Sequence, residues 1–277
     1  MSNTTLVTEM RTKMAQVTAA IMSKPGWKEW LLPVQANTKG WHGRLKKARA
    51  LTEQAIDLEQ RDGDDEEAAM DQMAAALRDA AAGNRRLARG NAIRALKVSQ
   101  APDIKQVAAL ALAQSGDVAA AERLANDLDK ELPFDTLVQR YWLPTIQAAI
   151  ALERKNPNGA IGILKGMGAI ELGDTAPDIY LCPVYVRGEA YLALHDGKSA
   201  AAEFQKFVDH YGLVGNFPWG ALARLGVAQG DASAAETDPA FRGKARAAYE
   251  NFLTLWKGAD PDIPIYKQAK AEYAKLQ

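Results

Sequence analysis

The side chains able to do chemistry are few in this chain and badly spaced for it. The three histidines, His42, His195 and His210, lie far from one another and from the single cysteine, Cys182, so no pair has the spacing of a zinc site. Asp62, Asp64 and Asp65 superficially match a calcium loop. Gly63, however, falls at the second position where such a loop needs glycine at the sixth, and the distal glutamate is misplaced. Phosphoryl transfer by a kinase asks for a glycine-rich loop, a strand lysine and catalytic and metal-binding aspartates. No His-Arg-Asp or Asp-Phe-Gly triplet occurs, and the glycines from Gly159 to Gly168 sit in a helical pattern. Carboxylates abound on helical faces, but none has a nucleophile beside it. The reading is a protein that is not an enzyme and calls for neither metal nor cofactor.

Composition points the same way. Hydrophobic residues make up 48% of the 277, inflated by alanine, and aromatics only 7%. Many small apolar residues suit helices that approach closely, and strand-length β-branched runs are almost absent. The 34 basic and 34 acidic residues cancel. Basic clusters at Arg44, Lys46, Lys47 and Arg49 and at Arg85, Arg86 and Arg89 are offset by the acidic run 62–67, so they read as solvated helix ends, not a nucleic-acid surface. No apolar run approaches the ~18 residues of a membrane span. The first 24 residues carry Glu9, Arg11 and Lys13 where a signal peptide would be apolar, which predicts an amphipathic helix over 4–23 and a cytoplasmic location. A periplasmic one follows if the chain is a piece downstream of a membrane span.

The elements that would hold a partner are helical hairpins. In Tyr185–His210, Gly188 and Tyr191 stand three apart on a first helix, and Ala200 and Phe204 four apart on a second. That is the Gly-x2-Tyr…Ala-x3-Phe part of the tetratricopeptide (TPR) signature, whose small residues let two helices approach and whose aromatics fill the space beside them. The matching small residues are Ala48, Ala88, Ala121, Ala160, Ala200 and Ala245, at intervals of 40, 33, 39, 40 and 45. A strict period is about 34, so the repeats are irregular. The expected fold is all-α: a right-handed α-α superhelix, a TPR-like solenoid of about six hairpins. A single domain spans 1–277, with a lone helix over 4–23, repeats over 26–256 and a capping helix over 264–277. Hairpins fall at about 26–60, 66–99, 103–131, 135–167, 185–210 and 218–256, and the last is interrupted by a protruding polar loop from Gly230 to Gly243. Of the six tryptophans, Trp27, Trp30, Trp41, Trp219 and Trp256 read as packing between hairpins; Trp142 reads as facing inward.

GRLKKARALTEQA, GNRRLAR, LPFDTLVQRYWLPTIQAA, PVYVRGEAYLA and ADPDIPIYKQAKAEYAKLQ resemble the C-terminal TPR region of large bacterial serine/threonine protein kinases. Similar regions follow winged-helix transcriptional regulators. The resemblance spans most of 14–277 and implies the interaction region of a signalling protein without its kinase domain or membrane span. It also implies where a partner sits, on the concave face lined by first helices. Carried onto this chain, that face holds Gln106, Leu110, Gln114, Trp142, Thr145, Ala149, Glu153, Cys182, Tyr185 and Glu189. With no lysine or arginine there, the carboxylate clamp of chaperone-binding TPR proteins is missing, and the groove suits an apolar or basic peptide segment. Two functions follow: a protein-interaction scaffold, or a regulatory region in which Trp142, Tyr185 and Glu189 form an aromatic and acidic cup for a small ligand.

Overall fold

Each hairpin is set by the chemistry of its turn. In the computed structural model, Gly43, Gly83 and Gly116 adopt positive φ between paired helices, a conformation that costs glycine little. In hairpins four and five the same place is held by Lys155 (φ 61°) and His195 (φ 57°). In hairpins three to five the residue after the turn also caps the second helix. Asp117 accepts from the Ala120 N–H, Asn156 from Gly159 and Asp196 from Ser199, satisfying a donor that would otherwise lack an intrahelical partner.

The structure describes residues 27–173, 179 and 181–277, together with 12, 13, 16–18 and 20. The helix expected over 4–23 lies mostly outside the described residues; 12, 13, 16–18 and 20 are helical. Among the described residues all regular structure is helical. Hairpin one is α1 (Trp27–Trp41) and α2 (Leu45–Asp62); hairpin two is α3 (Asp65–Ala81) and α4 (Arg85–Val98); hairpin three is α5 (Pro102–Gln114) and α6 (Val118–Glu131). A π-helical turn, Val138–Trp142, runs into α7 (Leu143–Glu153), which pairs with α8 (Pro157–Leu164). Next come α9 (Cys182–Ala193) and α10 (Gly197–Asp209), the single turn α11 (Tyr211–Val214), then α12 (Trp219–Ala235), α13 (Phe241–Leu255) and α14 (Pro264–Ala274). The acidic run is divided between elements. Gly63 ends α2 in the left-handed conformation, while Asp65, Glu66 and Glu67 fill the first turn of α3, where negative charge is favoured.

The two helices of a hairpin have different burial. Second helices bury one stripe, such as Ala121, Ala125 and Leu128 on α6. First helices are buried nearly all round, as along Val107–Ala113 on α5 and Cys182–Gly188 on α9. A helix apolar on every side must be enclosed on every side. The first helices α3, α5, α7, α9 and α12 pack on one another in succession, and α12 also reaches α1 and α3. The first and last hairpins therefore meet. The Trp256 indole N–H donates to the Trp41 carbonyl at 2.9 Å, the Asp260 N–H donates to Gly43 at 3.0 Å, and Asn216 Nδ2 donates to the Val34 carbonyl at 2.8 Å. Trp256 is fully buried at this seam. The helix expected as a cap, α14, sets its N-terminus on the α3–α4 turn, where the Ile265 N–H donates to the Ala82 carbonyl.

The loop expected from Gly230 to Gly243 is mostly helix. α12 continues to Ala235 and α13 begins at Phe241. Gly230 sits inside α12 because the backbone of α10 passes against it, leaving only 2.6 Å from the place of a Cβ to the Ala201 nitrogen.

Candidate functional site

Seven of the ten residues expected on the partner-binding face are packed into the core. Gln106, Leu110, Trp142, Thr145 and Tyr185 are buried, as are the other inner positions Ala149 and Cys182. Trp142 meets Tyr141 edge-on at 5.3 Å, and its indole N–H has no partner. The Thr145 hydroxyl donates back to the Tyr141 carbonyl at 2.6 Å. Tyr185 stacks on Trp219 with ring centroids 4.4 Å apart. Burial pushes the Cys182 thiol up to about 12, so it is held as a thiol. Among the described residues, the first helices pack on one another along this face. Tyr185 and Glu189 border a cavity of about 60 Å³, but Trp142 is not among its walls, and the three-residue cup is not assembled.

The remaining three residues do meet. Gln114, Glu153 and Glu189, from three different repeats, line a cavity of about 280 Å³ together with Arg85 and Gln268. The end residues of α3, α5 and α7 form much of its wall, through Ala80 and Ala81, Gln114, and Leu152 and Glu153. Pro264 and Ile265 at the start of α14 close the opposite side. The Arg85 guanidinium holds Glu153, with Nη1 donating to Oε2 at 3.0 Å. The Glu189 carboxyl is left without such a partner: burial, reinforced by Glu153 and opposed by Arg85, pushes it up to about 7. The Gln114 Oε1 atom is buried and accepts no hydrogen bond.

A larger cleft of about 620 Å³ lies between α1, α3 and the turn 213–217. Trp30, Pro33 and Phe217 form apolar parts of its wall, and Glu59, Asp62, Asp64, Glu67 and Asp71 supply carboxylates. Burial, with Glu59 and then Glu67 adding to it and Arg78 opposing, pushes the Asp71 carboxyl up to about 8.

Fold and cavity together define an all-α helical-repeat protein with a polar cavity at one end of its inner helices. No family model, curated protein or solved structure matches the chain. Sequence reasoning overlooked Arg85, Pro264, Ile265 and Gln268. Arg85 is visible only as part of a basic cluster at a helix start, and the other three reach the cavity only because the last hairpin returns to the first. No helix among the described residues is long and apolar enough to cross a membrane.

Proposed function

We propose that the protein is a non-catalytic binding module, an interaction scaffold whose TPR-like hairpins wind as a right-handed superhelix, and that it engages its partner at the end cavity of Gln114, Glu153 and Glu189. One observation carries this reading. Three residues from separate repeats, each singled out as a partner contact, line one cavity, while the other seven are buried. A filled inner face with one opening selects a single side chain or a short terminus, in place of a length of extended peptide. The partner is a protein or peptide, and the resemblance to kinase-associated repeat regions supports a place in a bacterial signalling protein. A photo-crosslinking side chain at Gln268, on the cavity wall, should capture the partner in cells, and Glu189→Leu should abolish that capture. Capture from Lys130, exposed on the last turn of α6, with none from Gln268, would overturn the reading.

A further inference from the structure

Donors and acceptors in the end cavity do not balance. Apart from the Gln114 amide nitrogen, the side-chain donors of its wall are engaged elsewhere. Arg85 is bidentate on Glu153, and Gln268 Nε2 donates to Glu272 Oε1 at 2.8 Å. Pro264 has no N–H, and the Ile265 N–H is held by the Ala82 carbonyl at 3.3 Å. The acceptors are left open. Gln114 Oε1 has no partner, and only distant charges act on the Glu189 carboxyl. The C-terminal ends of α3, α5 and α7 add the negative poles of three helices. Between these groups, Ala81, Leu152 and Ile265 offer apolar wall.

An anion entering here would meet two carboxylates and three negative helix ends. A neutral alcohol brings one O–H donor and no charge to pair with an ionised Glu189. An alkylammonium brings a charge for Glu189, N–H donors for the open acceptors and a carbon chain for the apolar wall. We propose that the end cavity is a binding site for a primary ammonium group on an alkyl chain, borne by a free alkylamine or by an exposed lysine of a partner. This rests on reading the cavity as the binding site.

The test titrates the full chain with n-butylamine, with Nα-acetyl-lysine methylamide, and with butanol and butyrate as neutral and anionic counterparts. Calorimetry gives affinity, and the NMR signals of the Gln114 side-chain amide give location. Both amines or one should bind and shift those signals, while butanol and butyrate should not. Glu189→Gln keeps the shape, removes the charge and should weaken amine binding roughly tenfold or more. Arg85→Met releases the Glu153 carboxylate and should strengthen it, whereas a merely structural arginine would leave affinity lower. Binding of butylamine alone assigns the site to free alkylamines, and binding of the lysine derivative to a partner's lysine. Butanol or butyrate binding as well as the amines, with Gln114 shifted, would sink the ammonium inference and leave the cavity as the site. If every probe leaves Gln114 unshifted, both fail. Amine affinity unchanged by Glu189→Gln, or lowered by Arg85→Met, would also overturn the proposal.

Discussion

Replacing Gly197 with alanine adds one methyl group where two backbones are nearly in contact. Gly197 is the first residue of α10 and its φ is not positive; His195, two residues earlier, holds the left-handed turn position. Its role is therefore one of space. A Cβ built there would lie 2.3 Å from the Ala234 nitrogen and 2.3 Å from the Gly230 oxygen, both backbone atoms of α12. Ordinary carbon contacts begin at about 3.5 Å, so the helices must part by roughly 1 Å. Backbone atoms inside a helix have no rotamer by which to yield. The same interface seats Phe204 against Gly226, where a Cβ would be 2.5 Å from the ring, so separation also loosens the packing of that ring. A radial gap of about 1 Å forfeits up to half of each contact's attraction. Overpacking costs about 1–3 kcal/mol, and occasionally more. With a rigid obstacle on both sides the upper end applies, less some tenths for alanine's better helix propensity, giving about 2–4 kcal/mol. Gly243→Ala is the control, since it makes the same change in α13 with no atom within 4 Å and should stabilise by roughly 0.5–1 kcal/mol. Urea unfolding followed by far-ultraviolet circular dichroism compares the two with the parent. A Gly197→Ala protein within about 0.5 kcal/mol of the parent would refute the claim that α10 and α12 meet backbone to backbone.

Two further outcomes are expected. Glu189 and Asp71, raised to about 7 and about 8 in the fold, ionise near the ordinary carboxylate value of about 4 once unfolded, so folding takes up protons. Stability should rise as pH falls from about 8.5 to about 5, by up to about 7 kcal/mol, and Glu189→Gln should flatten part of that rise; urea midpoints that fall over this range would contradict it. Trp256→Ala should cost about 3–5 kcal/mol and speed hydrogen exchange in α1 and α2 as well as in α13, because Trp256 is buried at the seam with Trp41. Faster exchange confined to α12–α14 would instead indicate an open row of hairpins.

Much of the fold is legible in the sequence because the turns carry their own signals. Gly-Asp at 116–117, Gly-Asn at 83–84 and Lys-Asn-Pro at 155–157 each join a left-handed or capping residue to a helix start, and the hairpin boundaries follow within a few residues. The exposed histidine at 195 follows from the same logic. What misleads is alanine. Ala232, Ala234 and Ala235 look like polar-loop surroundings beside Gly230, Asp231 and Ser233, yet they extend α12, since alanine is the best helix former and glycine is tolerated where a neighbouring helix needs the room. The candidate site is legible only in part, and for a related reason. Alanine serves surface and core alike, so Val107–Ala113 on α5 can be taken for one face of a groove when it is apolar on every face.

That all-round apolarity bears on where binding can occur. In an open row, each first helix shows one face to a partner, and charge there is tolerated. In this chain α12 returns to α1 and α3, so the first helices of the two ends pack on one another. The polar groups that line the cavity lie where the inner helices end. Gln114 and Glu153 are the last residues of α5 and α7, and Glu189 lies in the last turns of α9. The contacts that impose this arrangement join residues such as Trp41 and Trp256, which no local period relates. The closure therefore completes the cavity: it brings the start of α14 to Ala82, where Pro264 and Ile265 join Gln114, Glu153 and Glu189 in one wall.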